Sequence, residues 1–195
     1  QVTDKFNANA FSVTLINNPA SIDKRPLATT TNLEYVLDAF AARMQDEDIL
    51  FLLLTSHGTE DHNLIVDLAN FPLPDMPARQ LSELLRNSGI RWKVIVISAC
   101  YSGGFIDSLA DDTTLLITAA GAENLSFGCT DEAELTNFGR AFFAHGLRRS
   151  DSLLEAFQRA KSKVRALEKA EGYSHSDPQI RYTQAILDKL SNWQQ

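Results

Sequence analysis

Hydrophobic residues recur along this chain with two different periods. Unbroken apolar runs occupy Ile49–Thr55 (ILFLLLT), residues 94–97 within KVIVIS, and residues 114–119 (TLLITA). Runs of this kind predict strands buried on both faces of a parallel sheet. Residues 11–16 (FSVTLI) predict a first strand ended by Asn17, Asn18 and Pro19, and residues 64–68 predict a short one. Between the strands the period changes. Leu33, Val36, Leu37, Phe40, Ala41 and Met44 recur at helical spacing, behind a T-x-x-E capping box at Thr31 and Glu34. Further helices are predicted over 79–88, stopped by Gly89, over 105–110 and over 138–147. A long one follows Ser152, with Leu153, Leu154, Phe157, Ala160, Val164 and Leu167 as its stripe, and ends at Gly172. Residues 121–135 predict a long polar loop. Strands alternating with helices imply an α/β fold: a three-layer α/β/α sandwich around a mostly parallel central sheet.

Composition narrows the class. The 195 residues suit one domain over 1–195, with 1–10 and 181–195 peripheral, and 44% apolar content is ordinary for a globular protein. A net charge of -7 without a Lys/Arg cluster argues against nucleic acid as a partner. The run from Ile49 to Leu54 is too short for a transmembrane segment. No signal peptide opens the sequence, which reads as cytoplasmic or as a trimmed piece of something longer. Two cysteines, Cys100 and Cys129, are too few for a disulfide framework or a four-cysteine zinc site. Both read as free thiols, Cys129 as a structural one.

Chemistry gathers where two apolar runs stop. ILFLLLT ends in Ser56, His57 and Gly58; KVIVIS ends in Ala99, Cys100, Tyr101, Ser102, Gly103 and Gly104. In open α/β sheets, ligands bind at the carboxyl ends of strands, and the positive end of a following helix favours a thiolate. Position alone does not choose between a reactive Cys100 and a small buried cysteine packing like alanine. If the strands are parallel neighbours, His57 and Cys100 emerge at one edge as base and nucleophile. The N–H groups of Gly58 and Cys100 can then serve as an oxyanion hole. His57 with Asp61, His62 and Asp67 is an alternative metal cluster, although no recognised ligand spacing fits it. G-x-S-x-G, G-x-G-x-x-G and phosphate loops are absent. His145 and His175 read as surface residues.

The pairing of SHG with SACYSGG resembles the caspase-like cysteine peptidases. Within that clan, LFLLLTSHG, VIVISACYSGGF, LLITAAGAENLSFGCTDE, FGRAFF and SDPQI are most similar to the legumain-type (C13) family, in particular its bacterial members. The resemblance spans roughly residues 11–180. It implies a cofactor-free cysteine endopeptidase acting on peptide or protein substrates through a thioester acyl-enzyme. His57 is then general base and acid, Cys100 the nucleophile, and Gly58 and Cys100 the oxyanion donors. Legumains cleave after Asn and less readily after Asp. The acidic residue two before their nucleophile corresponds to Ser98, and a second acidic pocket residue corresponds to Arg140. This exchange points to an Asn/Asp-like P1 with room for a carboxylate, which Arg binds bidentately. The family's first strand and helix have no counterpart before residue 11. Transamidation through the same dyad and a non-catalytic peptidase-like binding module are the other functions the resemblance allows. Relatives that are exported or membrane-attached imply a periplasmic or membrane-attached setting within a longer parent, and the acidic surface implies a monomer.

Overall fold

The strongest apolar runs become the central strands. A computed structural model describes residues 11–69, 71–128 and 135–193. The chain runs through α1 (Thr30–Ala41), β1 (Ile49–Thr55), β2 (Asn63–Leu64), β3 (Met76–Pro77), α2 (Ala78–Asn87) and β4 (Trp92–Ser98). It continues through α3 (Ile106–Leu109), β5 (Thr114–Thr118), α4 (Asn137–Gly139), α5 (Leu153–Glu171), β6 (Gln179–Arg181) and α6 (Gln184–Trp193). The main sheet has the order β1-β4-β5-β6. β1, β4 and β5 are parallel, and β6 closes the far side antiparallel to β5. β2 and β3 pair separately.

Alternation along β4 divides the core in two. Val94 and Val96 pack with Phe138, Phe142, Phe157 and Val164 beneath α4 and α5. Ile95 and Ile97 pack with Leu33, Leu37, Leu81 and Leu85 beneath α1 and α2. Successive side chains of a strand point to opposite faces, so an uninterrupted apolar run needs cover on both. The three-layer α/β/α sandwich follows. Among the described residues no helix is long and apolar enough to cross a membrane.

Several expectations need correction. Residues 11–16 form no strand. Ile16 N–H instead donates to Pro26 O at 3.0 Å, the Asn17 amide clamps the backbone of Ala28, and Phe11 rests edge-on against Phe40. β-propensity reflects fit to a pleated neighbour, and among the described residues this segment pairs with none. β1 is the edge strand among the described residues, and it is not buried on both faces: Leu53 stands 43% exposed. Of residues 64–68 only Leu64 joins a strand. The α1 cap is Thr29, whose Oγ1 accepts from Asn32 N–H at 3.2 Å, two residues before the expected box. At α5 Ser152 is the cap, accepting from Glu155 N–H at 3.2 Å, and Glu155 reaches back to the N–H of Asp151. The helix expected over 138–147 opens as α4 and continues as a π-helical stretch, Arg140–Gly146. Its wider turn keeps Phe138, Phe142, Phe143 and Leu147 all inward.

Candidate active site

The register of the sheet fixes the meeting of the two reactive ends. Thr55 is paired with Ser98 at the last rung of β1 and β4, and Ser56 N–H donates to Ser98 O at 3.3 Å. His57 and Cys100 are each two residues further on, so both leave the sheet at one edge. Beyond it, Gly58 lies directly on the backbone of Cys100. A Cβ there would overlap the carbonyl oxygen of Cys100 and come within 3.1 Å of its carbonyl carbon. Only glycine permits this approach.

The residues after β1 turn back as a hairpin. His57 O accepts from Ile65 N–H at 3.0 Å, and Asn63 O accepts from Thr59 N–H at 3.1 Å. These bonds flank the bridge between Gly58 and Leu64, making it a pair whose own amides point outward. The N–H of Gly58 therefore faces away from the hairpin. Neither it nor the N–H of Cys100 donates a hydrogen bond to any described residue. His57 is exposed, and its imidazole has no hydrogen-bond partner among them.

The thiol of Cys100 is half-buried and held by one residue of the loop after β5. Its Sγ accepts from Ser126 N–H at 3.2 Å and donates to Ser126 O at 3.4 Å. Tyr101 follows with φ 55, a left-handed conformation that costs an L-residue about 1 kcal/mol. That strain is held by Tyr101 N–H, which donates to Asn124 O at 2.8 Å, and by the phenol, which donates to Glu60 Oε1 at 3.2 Å. Desolvation and the Glu60 carboxylate push the phenol above its usual range, so it stays a donor. Only a 3-10 turn, Ser102–Phe105, and the four residues of α3 follow. The expected help from a helix dipole is thus small, because few peptides align behind the sulfur. The Ser126 backbone holds the sulfur instead.

Ser98 and Arg140 converge on one helix terminus. Ser98 is 3% exposed, and its hydroxyl shares a 2.9 Å hydrogen bond with Thr136 Oγ1. Thr136 caps α4 by accepting from Gly139 N–H, and its carbonyl accepts from Arg140 N–H. The Arg140 side chain is exposed and donates one bond, to Asn137 Oδ1 at 3.2 Å.

The remaining candidates separate from this edge. His62 adopts φ 58, and its ring packs against Gly104, with Nδ1 buried and unpartnered. Among the described residues no three of His, Cys, Asp and Glu gather as a metal cage. His145 is exposed. His175 is not a free surface residue: its Nδ1 lies 2.8 Å from Oε2 of Glu168, itself 1% exposed. Cys129 lies outside the described residues. Ser126, Thr136 and Asn124 act through backbone or cap contacts, for which a loop of mixed polarity gives no signal. Glu168 had one: it follows Val164 by four positions on the apolar stripe of α5, where Leu167 was expected instead.

Comparison with known proteins places this geometry. No curated protein matches the chain. Among solved structures, caspase-1 from Spodoptera frugiperda superposes with a TM-score of 0.58 at 16% identity, covering 93% of this chain and 75% of that one. This likeness identifies the caspase-like fold. The model of the peptidase C13 family matches residues 36–187, which hold both strand ends, the Ser126 loop and α5. A caspase-like sheet whose SHG and SACYSGG ends meet at one edge, carried on that family's sequence pattern, makes this chain a member of the peptidase C13 family, cysteine peptidases of the caspase-like clan.

Proposed function

We propose that the chain is an endopeptidase in which Cys100 is the nucleophile and His57 the general base and acid. What supports this most is the pair of unspent amides, Gly58 N–H and Cys100 N–H, beside a thiol and an imidazole at the same sheet edge. His57 takes the proton of Cys100 as Sγ attacks the scissile carbonyl, and the two amides receive the oxyanion. Collapse breaks the C–N bond, His57 gives the proton to the leaving amine, and a thioester remains. Water then adds, the S–C bond breaks, and the sulfur regains its proton. No cofactor enters. An amine replacing water at the thioester would make the same site a transamidase.

For P1 we propose an Asn- or Asp-like side chain. By the sequence resemblance Ser98 and Arg140 correspond to the acidic pocket residues of legumains, and the Arg140 side chain makes one hydrogen bond among the described residues, leaving donors open. A carboxylate fits a guanidinium bidentately.

The test is an electrophilic peptide probe with Asn or Asp at P1, applied to the parent and to Cys100→Ala. Labelling of the parent alone is expected; labelling of neither refutes the peptidase reading. In a peptide library, Arg140→Gln should weaken cleavage after Asp more than after Asn. A parent that prefers Lys or Arg at P1 refutes the pocket assignment.

A further inference from the structure

The last turns of α5 carry a carboxylate that packing does not explain. Glu168 is 1% exposed in a stripe otherwise made of Leu153, Ala156, Phe157, Ala160 and Val164. Its Oε2 accepts from His175 Nδ1 at 2.8 Å and from Ser176 N–H at 3.0 Å, while Oε1 is buried without a hydrogen-bond partner. Burying a carboxylate with one oxygen unpaired is costly, and an apolar residue of similar size fills such a place more cheaply. Such a cost is commonly retained where it serves a site.

The contacts lead from Glu168 to the sulfur. Glu168 fixes the turn at His175 and Ser176. The carbonyl of His175 accepts from Asn124 Nδ2 at 3.2 Å, and that of Ser176 accepts from Gly121 N–H at 2.8 Å. Phe127 stacks on Tyr173 with ring centres 4.3 Å apart. The loop so held presents Asn124 O to Tyr101 N–H and the Ser126 backbone to Cys100 Sγ. One turn beyond Glu168, Glu171 accepts from Asn137 Nδ2 at 3.3 Å, and Asn137 N–H donates to Phe127 O. The C-terminal end of α5 therefore grips the loop from both sides. Asp177 lies 3.9 Å from the other nitrogen of His175 but is engaged by Lys161 at 2.8 Å.

We propose that Glu168 and His175 are positioning residues for Cys100, holding the loop that sets the sulfur's place at the sheet edge. The proposal rests on Cys100 being the nucleophile. Glu168 touches neither sulfur nor substrate and acts through the 175–176 turn and Asn124.

The experiment compares Glu168→Gln, Glu168→Leu, Asn124→Ala and the double variant Glu168→Leu/Asn124→Ala in a Cys129→Ser background. Readouts are kcat and KM on an Asn/Asp peptide and the rate of Cys100 alkylation by iodoacetamide at pH 7. Glu168→Leu and Asn124→Ala should each lower kcat about 10- to 100-fold with KM little changed, as expected when a reacting atom is displaced by about 1 Å. Alkylation should change in the same variants. Glu168→Gln, which keeps an acceptor oxygen, should recover most of kcat. The double variant should be little worse than either single one, because both cut one relay. If Glu168→Leu fails to fold, Asn124→Ala and Glu168→Gln still decide. Full kcat and unchanged alkylation in Asn124→Ala overturn the proposal, as do additive losses in a folded double variant. A parent that hydrolyses no peptide refutes the peptidase reading instead, and alkylation still reads the relay.

Discussion

Replacing Gly58 by alanine tests how tightly the two strand ends are joined. The added Cβ would overlap the carbonyl oxygen of Cys100, with the carbonyl carbon at 3.1 Å and Ala99 Cβ at 3.3 Å. Two of these three atoms are backbone, so no side chain can swing aside. The ends of β1 and β4 must part by on the order of 1 Å to restore carbon contacts near 3.5 Å. That displacement carries one of the two proposed oxyanion donors away from the other and from the sulfur. A shift of this size costs about 100-fold in kcat, equivalent to about 2.7 kcal/mol of barrier. Overpacking should also cost about 1–3 kcal/mol of stability. The control is Gly89→Ala, just beyond α2. Its φ is 69 and nothing lies within 4 Å of the new Cβ. It should lose about 1 kcal/mol, or about 2–4 °C in Tm, with kcat unchanged. Hydrolysis of a fluorogenic Asn/Asp peptide and thermal unfolding measure both variants. A Gly58→Ala enzyme within about twofold of the parent, a difference of under 0.5 kcal/mol, would refute the proposed amide geometry.

Phe142→Ala should cost about 3–5 kcal/mol, since Phe142 is fully buried, stacks on Phe138 and meets Phe143 edge-on; a denaturant midpoint near that of the parent contradicts this. Asp111 faces the opposite end of the sheet. Partial burial opposes its ionisation, but hydrogen bonds from the Thr113 backbone and hydroxyl, with the Lys93 charge, hold its carboxyl below the usual value. A lowered folded value stabilises above the unfolded pKa of about 3.9 and loses that contribution as pH falls through the folded value. Asp111→Asn should therefore lower Tm by about 2–4 °C at pH 7, for a half-exposed pair worth about 1 kcal/mol, and by less at pH 3. Equal differences at both values contradict the assignment.

Legibility followed the physics of each signal. The central strands and the main helices were readable because burial on both faces, or on one stripe, leaves a period in the sequence. Edge and centre were not distinguishable, since β1 and β4 carry equally apolar runs, and of the two only β4 has strands on both sides among the described residues. Residues 11–16 had strand composition without a partner, and pairing is invisible in one segment. The meeting of His57, Gly58 and Cys100 at one sheet edge was readable from two strand ends, because parallel register brings equivalent positions together. Thr136 and Asn124 act through caps and carbonyls many residues away in sequence, and Ser126 through its backbone alone. The Ser98 hydroxyl meets Thr136 at the base of Arg140's helix, a contact between distant segments that neither one shows alone.

The central place of β4 has a consequence for how the enzyme comes into being. Ile49 pairs with Trp92, Lys93 with Thr114, and Thr118 with Gln179, so every rung of the sheet joins distant parts of the chain. Non-local pairing of this kind is slow, because loop closure is paid before contacts reward it. Until β1 has zipped onto β4, Gly58 and His57 are nowhere near Cys100, and until residues 175–176 arrive, the loop behind the sulfur is unanchored. A nascent chain thus carries Cys100 apart from His57, and the proposed site is complete only when the last third of the sequence has joined the sheet.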